Sequence, residues 1–150
     1  MKRFGIIALL VCTGLAMAEP APLVVDKKVR KSVRAKHIEA VHLEIPTGTT
    51  DLAKIRYAIV QGMMLTKGRV WTYEGDDGGS IRARFDYRGH TIAVRIEYNE
   101  ELVQIKFHGG SEAYECKIII DDGICYRNHD NYYKYTPNLR ASIAQQLEAL

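Results

Sequence analysis

The sequence predicts an α+β fold: an antiparallel β-meander of four to six strands packed by two helices, in the order strand, helix, meander, helix. Three observations lead there. Between Val70 and His108, apolar and polar residues alternate with the period of two that marks strands with one buried face. On either side of that stretch, apolar residues recur at three- and four-residue steps, the spacing of a helix face. Asp-Gly, Gly-Gly and Arg-Gly pairs fall between the alternating runs, where turns are required.

The chain opens with Lys2 and Arg3, an apolar run from Phe4 to Leu15, and Ala16-Met17-Ala18 before Glu19-Pro20. That is the layout of a secretory signal peptide, and the run is too short to span a bilayer. Residues 1–18 are therefore read as a leader, and the working protein as exported to the periplasm of a bacterial envelope, with no membrane-spanning segment. A competing reading keeps Cys12 as a lipid-modified N-terminus. Against it, Val11 stands where a small residue is wanted, and the apolar run continues past Cys12.

Removing the leader leaves 132 residues, enough for one domain burying roughly two-thirds of its unfolded surface. It also takes the formal charge from +3 to +1, since Lys2 and Arg3 leave and no carboxylate does. Lys27, Lys28, Arg30, Lys31, Arg34 and Lys36 give residues 19–36 the character of a basic arm or linker. Val25, Val29 and Val33 put a thin apolar stripe at helical spacing within it. From His37 onward acids outnumber bases 16 to 13, and residues 37–150 form the single expected domain.

Within that domain residues 38–45 read as a strand ended by Pro46-Thr47-Gly48. Thr49 or Thr50 caps a helix whose core face is Leu52, Ile55, Ile59 and Met63, and Lys67-Gly68 ends it. Met63 and Met64 serve as core filler. A short strand at residues 70–74 precedes the turn Asp76-Asp77-Gly78-Gly79. Ile81, Ala83, Phe85 and Tyr87 then form one buried row, and Ile92, Val94, Ile96 and Tyr98 the next. After a turn at Asn99-Glu100, Val103, Ile105 and Phe107 complete the apolar face. Residues 114–120 and 124–127 suggest a last hairpin around Asp122-Gly123. Thr136 as N-cap and Pro137 at the first position start a closing helix along Leu139, Ile143, Leu147 and Leu150.

Several of these segments carry a resemblance. They are Arg56-Tyr57-Ala58-Ile59, Trp71, Ile81-Arg82-Ala83-Arg84, Arg88-Gly89-His90, Ile96-Glu97-Tyr98, His129-Asp130-Asn131-Tyr132 and Asn138-Leu139. Over residues 55–147 the chain resembles a family of small exported bacterial proteins, many of them lipoproteins. Tyr135 stands where the family pattern has Trp, and Ser111-Glu112-Ala113-Tyr114 where it has a Ser-x-Asn-Leu-like segment. The resemblance implies an exported fold and no chemistry, because the family has no assigned activity.

In an oxidising compartment Cys116 and Cys125 are expected to form a disulfide, which would consume the thiolates of a zinc set with His108 and His129. No metal or cofactor is therefore expected. Ser111, His129 and Asp130 have the residue types of a hydrolase triad without a nucleophile elbow. Asp76-Asp77 and Asp121-Asp122 adjoin glycines and suit turns. The alternation places Arg82, Arg84, Arg88, Arg95 and Lys106 on the solvent face of the sheet. Of these, Arg82, Arg84, Arg95 and Lys106 are the candidate contacts for an anionic lipid or glycan. Nucleic acid is not expected, since the address is extracytoplasmic and no aromatic alternates with those cations. The resulting reading is a non-catalytic envelope protein that binds a partner protein or an anionic envelope ligand. The alternative is a small hydrolase-like periplasmic enzyme using the tyrosine-rich residues 126–135, with His129 as acid or base.

Overall fold

A computed structural model describes residues 19–30, 33–120 and 123–150. The expected leader, Lys31 and the Asp121-Asp122 pair lie outside the described residues. The fold is α+β. Helix α1 (Val33–His42) is followed by β1 (Ile45–Pro46) and α2 (Leu52–Met64). The meander comprises β2 (Thr72–Asp76), β3 (Ser80–Tyr87), β4 (His90–Tyr98) and β5 (Leu102–Gly110). A 3-10 turn at Glu112–Tyr114, the hairpin β6 (Ile118–Ile120) and β7 (Ile124–Arg127), and α3 (Tyr132–Glu148) complete the chain. All pairings are antiparallel, in the order β1-β5-β4-β3-β2, with β6–β7 as a separate two-stranded ribbon.

The alternation sets the register. Ile81 faces Ile96, which faces Ile105, and Ala83 faces Val94, so one sheet face is continuously apolar. Ile55, Ala58, Ile59 and Met63 of α2 and Leu139, Ile143 and Leu147 of α3 are buried in the same cluster. Gly62 lets the two helices approach, since a Cβ there would lie 2.7 Å from the Ile143 Cα. The β3–β4 connection uses Arg88 and Gly89 at φ 50° and 78°, the doubly positive pair of a hairpin turn that matches strand twist. Asp51 caps α2, its carboxylate accepting from the Ala53 and Lys54 amides, one residue beyond the expected Thr49 or Thr50.

Several expectations need correction. Leu52 and Met64, expected in the core, are 45% and 57% exposed, and Leu150, expected on the closing helix face, is 49% exposed. Residues 38–42 are helical rather than extended, and the paired strand is only Ile45–Pro46. The buried residues Ala35, Ile38 and Val41 are spaced by three, so they share a helix face that starts inside the basic stretch. The closing helix starts at Tyr132, not at Thr136, and Pro137 lies inside it. Fully buried Tyr132 fixes that earlier start, and the Lys134 and Tyr135 amides donate to the Asn131 carbonyl. In the last hairpin, Tyr114 belongs to the 3-10 turn and strand structure begins only at Ile118.

The stretch read as an arm packs against the domain. Val25 and Val29 join Ala35, Ile38 and Tyr126 in a second, smaller apolar cluster. Lys27, Lys28 and Arg30 sit exposed in a turn held by Asp26. A disulfide joins Cys116 to Cys125, with Cα atoms 5.9 Å apart. A loop of that size contributes about 2–3 kcal/mol.

His42 ties these parts together. Its ring is completely buried, with Nδ1 2.7 Å from the Ile105 carbonyl, while the Cys125 amide donates to Nε2 at 3.1 Å. A neutral imidazole satisfies both contacts, with Nδ1–H donating and Nε2 accepting. Burial lowers its pKa to about 4 against the opposing pull of the two backbone bonds, and the charge of Lys106 lowers it further.

Candidate ligand-binding cleft

The four cations singled out on the sheet are engaged within the protein. Arg84 bonds Glu74 and Asp86, both at 2.8 Å. Arg95 holds Glu97 through Nε and Nη2 at 2.7 Å, and Lys106 reaches the other Glu97 oxygen at 2.7 Å. Arg82 is exposed, its guanidinium 3.5 Å from the Glu74 carbonyl oxygen. Lys106 differs from its expected place in solvent: only 5% of its side chain is accessible, and Glu97 is fully buried. Alternation assigned the side of the sheet correctly, but that side is covered at β5. Ala21 and the Gln104 amide exchange two hydrogen bonds there, and the Phe107 amide donates to the carbonyl oxygen of Gly123, in the turn of the ribbon.

The alternative site is equally committed to structure. His129 Nδ1 accepts from the Asn131 amide at 3.1 Å, and its ring lies edge-on to Tyr114. Ser111 Oγ accepts from the Thr91 amide, and the bridged cysteines supply no thiolate to His108 and His129. Three of the tyrosines in residues 126–135 pin the chain. Tyr126 bonds the Asp26 amide, Tyr132 is buried in the core, and Tyr133 donates to the Cys125 carbonyl while stacking on His37. Asp76 accepts from the Gly78 amide within its turn and ion-pairs with Arg56.

The fourth tyrosine, Tyr135, belongs to a different feature. A cleft of about 550 Å3 opens between the α2–β2 connection, the end of β3 and the first turns of α3. That volume lies within the range of small-molecule sites. Each segment has a local reason to be there. The connection turns at Gly68, whose φ of 99° suits glycine, and Thr66 Oγ1 donates back to the Gly62 carbonyl at 2.7 Å. Trp71 then enters the core, its amide on the Met63 carbonyl. Phe85 and Tyr87 come from the apolar row of β3.

Floor and rim differ in chemistry. Trp71 and Phe85 are 2% and 3% exposed. Their rings lie 5.3 Å apart, Phe85 is 4.8 Å from Tyr135, and Tyr135 meets Tyr87 at 5.9 Å. The indole Nε1 of Trp71 is buried and has no acceptor among the described residues. Around this floor stand Lys67, Arg69 and Lys134, all exposed, with the Asn138 amide. Arg69 lies 4.4 Å over the Tyr87 ring, and Lys134 is 5.8 Å from the Tyr135 ring. Among the described residues no carboxylate lines the cleft, and none of the three cations has a carboxylate partner.

Sequence reading missed this constellation, although a signal was present. Lys67-Gly68-Arg69 sits two residues before the single tryptophan, and Lys134 adjoins Tyr135. Comparison with protein-family models, curated proteins and solved structures gives no match to this chain.

Proposed function

We propose that this chain is an exported, non-catalytic binding protein of the bacterial envelope that holds an anionic ligand in the cleft above Trp71. The observation that carries the reading is the charge inventory of the lining: three cations, aromatic rings and no carboxylate. On the sheet Arg84, Arg95 and Lys106 already have carboxylate partners, whereas three cations gathered around one concavity without a carboxylate favour an anion from outside. The leader-like residues 1–18 and the Cys116–Cys125 disulfide support an extracytoplasmic address. None of the described helices is long and apolar enough to cross a membrane.

The reading is tested by thermal unfolding of residues 19–150 with inorganic phosphate, soluble phosphate esters, anionic muropeptides and vesicles containing phosphatidic acid, beside uncharged counterparts. An anion at a hundred times its Kd stabilises the folded state by about 2.7 kcal/mol, a clear rise in Tm. The expected result is a rise with at least one anionic probe and none with the uncharged set. A flat response to every anion overturns the proposal.

A further inference from the structure

We infer that the ligand of this cleft is an amphiphilic phosphate ester, its phosphoryl group at the Lys67–Arg69–Lys134 rim and its apolar group on the Trp71–Phe85 floor. This rests on the anion-binding reading above and specifies the chemistry of that site. A hydrated inorganic anion would use the rim alone and leave water in the rest of the cleft against the half-buried Tyr87 and Tyr135 rings. Water there gains little from rings, whereas an apolar group gains by leaving solvent. The floor is also continuous with the core, since Trp71 and Phe85 belong to the main apolar cluster. An apolar ligand group seated there therefore extends an existing packed surface.

Two polar features favour a phosphate ester over a simple carboxylate. A phosphate monoester carries about −1.5 to −2 charges at neutral pH, matching three cations better than a single negative charge does. The buried Trp71 Nε1–H lacks an acceptor, and an unmade buried hydrogen bond is costly. A ligand oxygen that reached the Trp71 indole from the cleft it lines would supply one. The same chemistry is offered by a lipid headgroup or by a soluble aryl or alkyl phosphate.

Trp71 is the single tryptophan of the chain, so its emission reports on the cleft directly. Residues 19–150 are titrated with phenyl phosphate, short-chain phosphatidic acid below its micelle-forming concentration, inorganic phosphate and short-chain phosphatidylcholine. Vesicles with and without phosphatidic acid form a further arm. At least one phosphate ester should shift Trp71 emission and bind at least about tenfold tighter than inorganic phosphate, the gain expected from burying a few methylenes. Phosphatidylcholine should leave the emission unchanged. Arg69→Glu with Lys134→Glu should remove the response, while unliganded emission like that of the native protein verifies an intact floor. A response to phosphatidic acid, short-chain or in vesicles, supports the lipid source; a response to phenyl phosphate alone supports the soluble one. Inorganic phosphate binding as tightly as the esters overturns the amphiphile and leaves the anion site standing. A rise in Tm with no change at Trp71 also overturns it, by placing the ligand elsewhere. If neither Tm nor emission responds to any anion, the anion-binding reading fails and this inference with it.

Discussion

The outer face of the sheet and the cleft beside it both carry clusters of cations, but only one of them leaves its charge unspent. On the sheet, Arg84, Arg95 and Lys106 meet Glu74, Asp86 and Glu97 at 2.7–2.8 Å. In the cleft, Lys67, Arg69 and Lys134 face aromatic rings and no acid. The difference teaches that a count of like charges on one face says little about ligand binding. What matters is whether the protein has already supplied the counter-charge, and at what burial. Glu97 lies between two cations with no solvent access, so its attraction is poorly screened and its removal is expensive. The rim cations are exposed, so altering them costs little stability and acts on what approaches from outside.

The largest effect that would break this contrast is on the closed face. Glu97→Gln takes away the carboxylate shared by Arg95 and Lys106, and urea unfolding should show a loss of about 3–5 kcal/mol. A loss below about 0.5 kcal/mol would mean that the face is open in solution.

A second effect, somewhat smaller, sharpens the same region. His42 is buried against β5 and its pKa of about 4 lies below the ordinary 6.5, through desolvation first and the nearby Lys106 charge last. The unfolded chain therefore binds the proton more tightly. Stability from this group is fully present above pH 6.5 and is lost as pH falls through 4, because ΔG of unfolding rises with pH wherever the unfolded state holds more protons. Between pH 7 and pH 5 the loss is about 2 kcal/mol. His42→Gln should flatten that part of the pH profile, measured as urea midpoints at both values. A native profile that is already flat would show that the ring is solvated.

The sheet was legible because every second residue is apolar within each of three rows, Ile81 to Tyr87, Ile92 to Tyr98 and Val103 to Phe107, and register follows from that pattern. Burial of Lys106 was not, because alternation reports which side a residue faces and not what lies on top. The cover comes from Ala21, 83 residues away from Gln104 in sequence. Helix α1 was misread for a related reason. Its buried set begins at Ala35, inside a stretch whose charge dominated the reading, so only part of the period was in view. The cleft was the hardest to see, since it draws on three distant segments. In each, a local role explained the residues: Gly68 as a helix stop, Phe85 and Tyr87 as strand alternation, Tyr135 as one member of a tyrosine-rich stretch.

The smallest effect on stability gives the sharpest test of function. Arg69→Glu and Arg84→Glu each reverse one exposed or half-exposed cation, one at the cleft and one on the sheet. Affinity for the tightest anionic probe, read by Trp71 emission, should fall at least about tenfold for Arg69→Glu, with stability within about 0.5 kcal/mol of the native protein. Arg84→Glu should leave that affinity unchanged. Loss of binding in Arg84→Glu with retention in Arg69→Glu would contradict the account and return the anion to the face of the sheet.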